Sequence, residues 1–156
     1  PLSRSQHSMF QSFRILLVED DDSLRSCLSE FLADNGWNVA ATAHGDEAIG
    51  LCSQCRFDFT IMDYHLPDIT GLELFQKLAS RRPLPAILMS GLASTEEILA
   101  ARDAGFFGFL RKPLELGTLR TTVEQLIRVN FGGPLANLPP PHPTMNPSRP
   151  RPRHNF

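Results

Sequence analysis

Short apolar runs alternate along this chain with longer stretches in which apolar residues recur at three- and four-residue intervals. Residues 14–18 (RILLV) form a continuous apolar run, the pattern of a strand covered on both faces. In the following DSLRSCLSEFLADNG, Leu24, Cys27, Leu28, Phe31 and Leu32 fall at helical intervals, and Asn35-Gly36 supplies a stop. Residues 37–42 (WNVAAT) predict a second, weaker strand, and 46–55 a short helix with Ala48, Leu51 and Cys52 on one side. A third strand is expected at 57–62 (FDFTIM), then a loop with Pro67 and Gly71, then a helix, LELFQKLAS, that stops before Pro83. A fourth strand at 84–89 (LPAILM) leads to Ser94-Thr95-Glu96-Glu97, the signature of a capping box, opening a helix that ends near Gly105. GFLRKP (108–113) holds the end of a fifth strand. Residues 114–129 read as a last amphipathic helix, with Leu116, Leu119, Val123, Leu126 and Ile127 on its apolar side. Five strand–helix units in succession predict an α/β fold: a doubly wound, five-stranded parallel sheet with helices on both faces and right-handed crossovers.

After Phe131 the pattern stops. The segment GGPLANLPPPHPTMNPSRPRPRHNF is rich in proline, and Arg149, Arg151 and Arg153 make its end basic. Such a segment cannot bury enough apolar surface to offset its ordering entropy. The expected organisation is a flexible extension at 1–13, one folded domain at 14–131 and a disordered tail at 132–156. A net charge of -2 provides no bulk basic field for nucleic acid. No apolar run nears the ~18 residues of a membrane span, and PLSRSQHSMFQSF lacks the apolar centre of a signal peptide. A cytoplasmic protein away from membranes is expected. Cys27, Cys52 and Cys55 read as small apolar helix residues suited to a reducing compartment. The C-x-x-C at 52–55 falls late in its helix, away from the helix start that stabilises a thiolate, and no second pair completes a zinc site.

Charge changes the picture at one place. ILLVEDDD (15–22) ends a strand in four carboxylates, Glu19, Asp20, Asp21 and Asp22. Two carboxylates ~4 Å apart repel by about 4 kcal/mol at an effective dielectric near 20, so such a cluster implies open solvent or a cation. In a parallel sheet the residues that follow each strand share one edge, where ligands bind. Here those residues are Glu19 and Asp20, then Asp63, Ser90-Gly91 and Lys112-Pro113. Three carboxylates in a shallow loop site suit Mg2+, an oxygen-seeking ion that keeps several waters. One carboxylate can attack a phosphoryl group to form an aspartyl-phosphate. A metal and the Lys112 ammonium would neutralise the phosphoryl oxygens, and the Ser90 hydroxyl can donate to them. Asp22 is expected to cap the first helix.

The ordered pieces ILLVEDD, FDFTIMDYHLPDITGLEL, ILMSG and GFLRKP resemble the receiver domain of two-component response regulators, single-domain chemotaxis-type receivers among them. The resemblance spans roughly 14–130. It implies a flavodoxin-like strand order, 2-1-3-4-5, and Asp63 as phosphoacceptor. It further implies that Asp20 ligates Mg2+ directly, Glu19 through water, and His65 through its backbone carbonyl. Lys112 would pair with the phosphoryl group, Ser90 would be the switch hydroxyl and Phe109 the switch aromatic, while Pro67 and Gly71 shape the loop after Asp63. The chain departs from the commonest receiver pattern in having Phe at 109, where Tyr is frequent, and Ser90-Gly91, where Thr-Ala is frequent.

The function this implies is that of a phosphorelay response regulator. A histidine kinase or histidine phosphotransfer protein would donate to Asp63, and the surface of the fourth helix, fifth strand and fifth helix would change toward an unnamed output protein or a dimer. Autocatalytic transfer to and hydrolysis from its own aspartate is expected, without turnover of foreign substrates. No dedicated nucleic-acid-binding domain is expected. Two alternatives are a phosphorylation-independent interaction module on the same fold, and an aspartyl-phosphate phosphohydrolase. The latter wants an acid two residues after the nucleophile, where His65 stands.

Overall fold

The computed structural model describes residues 12–92 and 94–132. Its elements alternate as expected: β1 (Arg14–Val18), α1 (Asp22–Asp34), β2 (Asn38–Thr42), α2 (Gly45–Gln54), β3 (Phe59–Asp63), α3 (Gly71–Ala79), β4 (Ala86–Ser90), α4 (Thr95–Ala104), β5 (Gly108–Arg111) and α5 (Leu116–Phe131). All five strands pair in parallel in the order β2-β1-β3-β4-β5. The chain therefore winds outward twice from the centre, and the helices cover both faces.

The apolar run of β1 is explained by this double cover. Ile15 and Leu17 join Leu28 and Leu32 of α1 and Leu119, Val123, Leu126 and Ile127 of α5. Leu16 and Val18 point the other way, into a cluster with Ala48 of α2, Leu74, Phe75 and Leu78 of α3 and Ala101 of α4. Alternate residues of one strand thus serve two cores, and each large side chain buried there stabilises by roughly 1.5–3 kcal/mol. β3 and β4 are buried at every position, whereas β2 and β5, the edge strands, are partly exposed. This is why the β2 sequence carried the weaker strand signal. At the amino end, the ring of Phe13 lies 5.2 Å from that of Phe131 and tilts against it, closing the α5 side.

The caps follow local chemistry, with one correction. Asp21, not Asp22, caps α1: its backbone is extended and its carboxylate accepts the Leu24 N–H at 2.7 Å. Asp22 already lies inside the helix and pairs with Arg25 at 2.6 Å. Ser94 and Glu97 form the full capping box of α4, which ends at Gly105 in the left-handed region, φ 103°. Two residues assigned to apolar stripes are exposed. Cys27 sits at the border of the α1 stripe, and Leu116 is the first residue of α5, before the helix meets the sheet. Strand and helix ends shift by one or two residues, the usual uncertainty of a periodicity signal. Among the described residues no helix is long and apolar enough to cross a membrane. The proline-rich tail expected at 132–156 lies, beyond Gly132, outside the described residues, as do residues 1–11 of the extension expected at 1–13.

Candidate functional site

Parallel register builds the site. Val18 pairs with Met62, so Glu19 and Asp63, one residue further on, emerge level at adjacent strand ends. Asp63 in turn pairs with Met89, one residue before Ser90, and Ser90 pairs with Arg111, one residue before Lys112. The four strand-end groups named from sequence therefore share one edge. Lys112 reaches back across it: its Nζ donates to Glu19 Oε2 at 2.8 Å and to Asp63 Oδ2 at 2.9 Å. The Lys112–Pro113 peptide is cis, and the Lys112 N–H donates to the Ser90 carbonyl at 3.0 Å.

Burial governs the electrostatics. Glu19 has no exposed surface and Asp63 almost none, whereas Asp20 is exposed. Burial pushes the Glu19 carboxyl up, the Lys112 hydrogen bond pulls it down, the Asp63 charge pushes it up again, and the net shift is upward. For Lys112, burial pulls the ammonium down, but its hydrogen bonds to Glu19 and Asp63 and their charges outweigh this and hold it above its ordinary value. One carboxylate oxygen from each of Glu19, Asp20 and Asp63 lies within 4.8 Å of the other two. Three carboxylates against one ammonium leave an excess of two negative charges, and the donors are all oxygen. A hard divalent cation fits this set.

The other expected residues fall around this centre. His65 has an exposed side chain whose ring meets that of Tyr64 edge-on at 4.8 Å, and its N–H points to Asp63 Oδ1 at 3.4 Å. Ser90 is buried, and its hydroxyl accepts the Leu92 N–H at 3.3 Å rather than bonding Asp63. Phe109 is half-buried against the α3–α4 core and borders a groove of about 250 Å³ shared with Pro113, Leu114 and Thr118. Pro67 is exposed in the loop after β3. Gly71 is needed for space: a Cβ there would collide with the carbonyl oxygen of Asp63. The Gly71 N–H also donates to the Tyr64 carbonyl at 2.7 Å, so the loop closes on itself directly below Asp63.

Sequence reasoning missed three supporting residues. Arg25 donates to the Glu19 carbonyl at 3.0 Å and pins the acidic loop. Thr42 is buried, accepts the Glu19 N–H on its carbonyl at 3.0 Å and donates its hydroxyl to Glu47. Asp68 accepts the N–H groups of Gly45 and Asp46, each at 2.9 Å. One signal could have found Asp68. The predicted second helix has no good cap of its own: His44 stands at the N-cap and makes no side-chain cap bond.

The comparisons with known proteins agree with this architecture. The response regulator receiver domain model matches residues 15–124. The probable transcriptional regulator ycf29 of Pyropia yezoensis is 34% identical over 119 residues, covering 74% of this chain and 54% of that protein. The regulatory protein VanRB of Enterococcus faecalis is 33% identical over 117 residues, covering 75% of this chain and 53% of that protein. The chain thus spans about half the length of the curated relatives it matches. Among solved structures, the chemotaxis protein CheY4 of Vibrio cholerae superposes with a TM-score of 0.71 at 28% identity, covering 74% of this chain and 99% of that one. With the family match running from β1 into α5, the strand order shared with CheY-like folds and the strand-end carboxylates set against a lysine, the chain belongs to the response regulator receiver domain family of two-component signalling.

Proposed function

We propose that this protein is a phosphoacceptor response regulator, phosphorylated on Asp63 in the presence of Mg2+. The observation that carries this is the Lys112 ammonium shared between buried Glu19 and Asp63, with Asp20 beside them. Asp20, Asp63 and the His65 carbonyl would hold the ion directly and Glu19 through water; when bound, it supplies positive charge to the phosphoryl oxygens. The Asp63 carboxylate attacks the phosphorus of a phosphohistidine donor. An O–P bond forms, the N–P bond breaks, and the imidazole leaves with its electron pair and takes up a proton. Lys112 neutralises charge on the transferred group. Ser90, held by Leu92 before transfer, turns its hydroxyl to the phosphoryl group, and Phe109 repacks into the space this opens. The resulting population shift alters the surface of α4, β5 and α5 toward an output protein or a second copy. The donor is a histidine kinase or histidine phosphotransfer protein, and the chemistry acts on the protein's own aspartate.

Intact mass after incubation with acetyl phosphate tests this, with and without Mg2+, for wild type and Asp63→Asn. The expected result is a Mg2+-dependent gain of one phosphoryl group in wild type and none in the variant. Absence of an adduct together with failure to bind beryllofluoride would replace this reading with the phosphorylation-independent interaction module.

A further inference from the structure

The first turn of α2 is tied to both loops of the candidate metal site. On one side, Thr42 accepts the Glu19 N–H on its carbonyl and gives its hydroxyl to Glu47 in that turn. On the other, Asp68 reaches over from the loop after β3. Its Oδ1 accepts the Gly45 N–H and its Oδ2 the Asp46 N–H, both at 2.9 Å. These are amides with no partner inside the helix, and a carboxylate is favoured there by the helix dipole. Gly45 keeps the approach close: a Cβ at that position would lie 3.2 Å from Ile69 Cγ2 and 3.4 Å from Asp68 Oδ2. The loop that Asp68 anchors starts at Asp63. Its base is closed by the Gly71–Tyr64 hydrogen bond and a His65–Thr70 bridge, and its tip is held by Asp68.

From this we propose that Asp68 is a positioning residue: by clamping residues 64–70 onto the amino end of α2, it fixes the His65 carbonyl relative to Asp63 and so sets the affinity for Mg2+. This rests on the metal-dependent reading above. Because coupling is reciprocal, Mg2+ binding tightens the clamp, although neither Gly45 nor Asp46 is among the residues that would hold the ion.

The test is a Mg2+ titration of wild type, Asp68→Ala and Asp68→Asn, followed by backbone amide NMR shifts of residues 63–69, with amide exchange at Gly45 and Asp46 and thermal melts in parallel. Wild type should saturate. Loss of a helix cap of this kind is worth about fivefold in an equilibrium constant, and only the share of it gained on ion binding enters the affinity, so Asp68→Ala should need up to about fivefold more Mg2+. Asp68→Asn, which keeps one acceptor, should fall between. Mg2+ should slow exchange of the two amides in wild type but not in Asp68→Ala. A purely capping role would lower the melting temperature while leaving Mg2+ affinity equal in all three proteins, and that result overturns the proposal. A wild type that shows no Mg2+ response overturns the metal-dependent reading and this inference together, which separates the two failures.

Discussion

At the level of single residues the site is a balance between two buried carboxylates, Glu19 and Asp63, and one ammonium. Glu19 has its carboxyl raised by burial, against the Lys112 hydrogen bond and with the Asp63 charge. A raised carboxyl pKa means that stability is lost as pH rises from the unfolded value through the folded one, so at neutral pH the Glu19 charge costs stability. Glu19→Gln should therefore unfold at higher urea than wild type in Mg2+-free buffer, and should bind Mg2+ more weakly; a lowered midpoint would show that Lys112 over-compensates the burial. Gly71 marks a different constraint. Its φ is ordinary, and the requirement is room beside the Asp63 carbonyl. Gly71→Ala must displace backbone, and overpacking of this kind costs about 1–3 kcal/mol. The same urea titration, with amide shifts at Asp63 and Tyr64, would register both the loss and the movement of the candidate phosphoacceptor.

At the scale of elements, most of what the chain does was written in local pattern. The apolar run of β1, the capping box of α4 and, apart from exposed Cys27 and Leu116, the stripes of α1 and α5 formed where the local pattern placed them. The identity of the α1 cap was not legible, because four consecutive acids offer several equivalent caps and only the backbone angles select Asp21. The start of α2 was also misread by a residue, since its cap comes from another element. Burial raises the Asp68 carboxyl, but the N–H groups of Gly45 and Asp46 outweigh it and hold it below its usual range. A lowered carboxyl contributes stability above its unfolded pKa, near 3.9, that is lost as pH falls through the folded value. Loss of this cap, screened by solvent because Asp68 is exposed, should cost Asp68→Ala about 0.5–1 kcal/mol at neutral pH. This difference from wild type should hold nearly constant down to about pH 4 and collapse below it. A difference unchanged at pH 3 would mean that the carboxylate charge has no part in the cap.

At the scale of the whole molecule, a ligand that binds only the folded state stabilises by mass action. Mg2+ at a hundredfold excess over its dissociation constant should add about 2.7 kcal/mol to the unfolding free energy. That gain should shrink in Asp20→Asn, measured by urea unfolding across a Mg2+ series. Local pattern along the chain was enough for the order of elements, the parallel doubly wound arrangement and the residue types that stand at the strand ends. It was enough because periodicity and residue chemistry are local properties, and because parallel strands all end on one side. It took the folded chain to show that Lys112 bridges Glu19 and Asp63, partners 93 and 49 positions away, and that Asp68 caps a helix 23 positions earlier. Those contacts depend on strand register and loop closure, and no window of sequence contains both ends of such a bond.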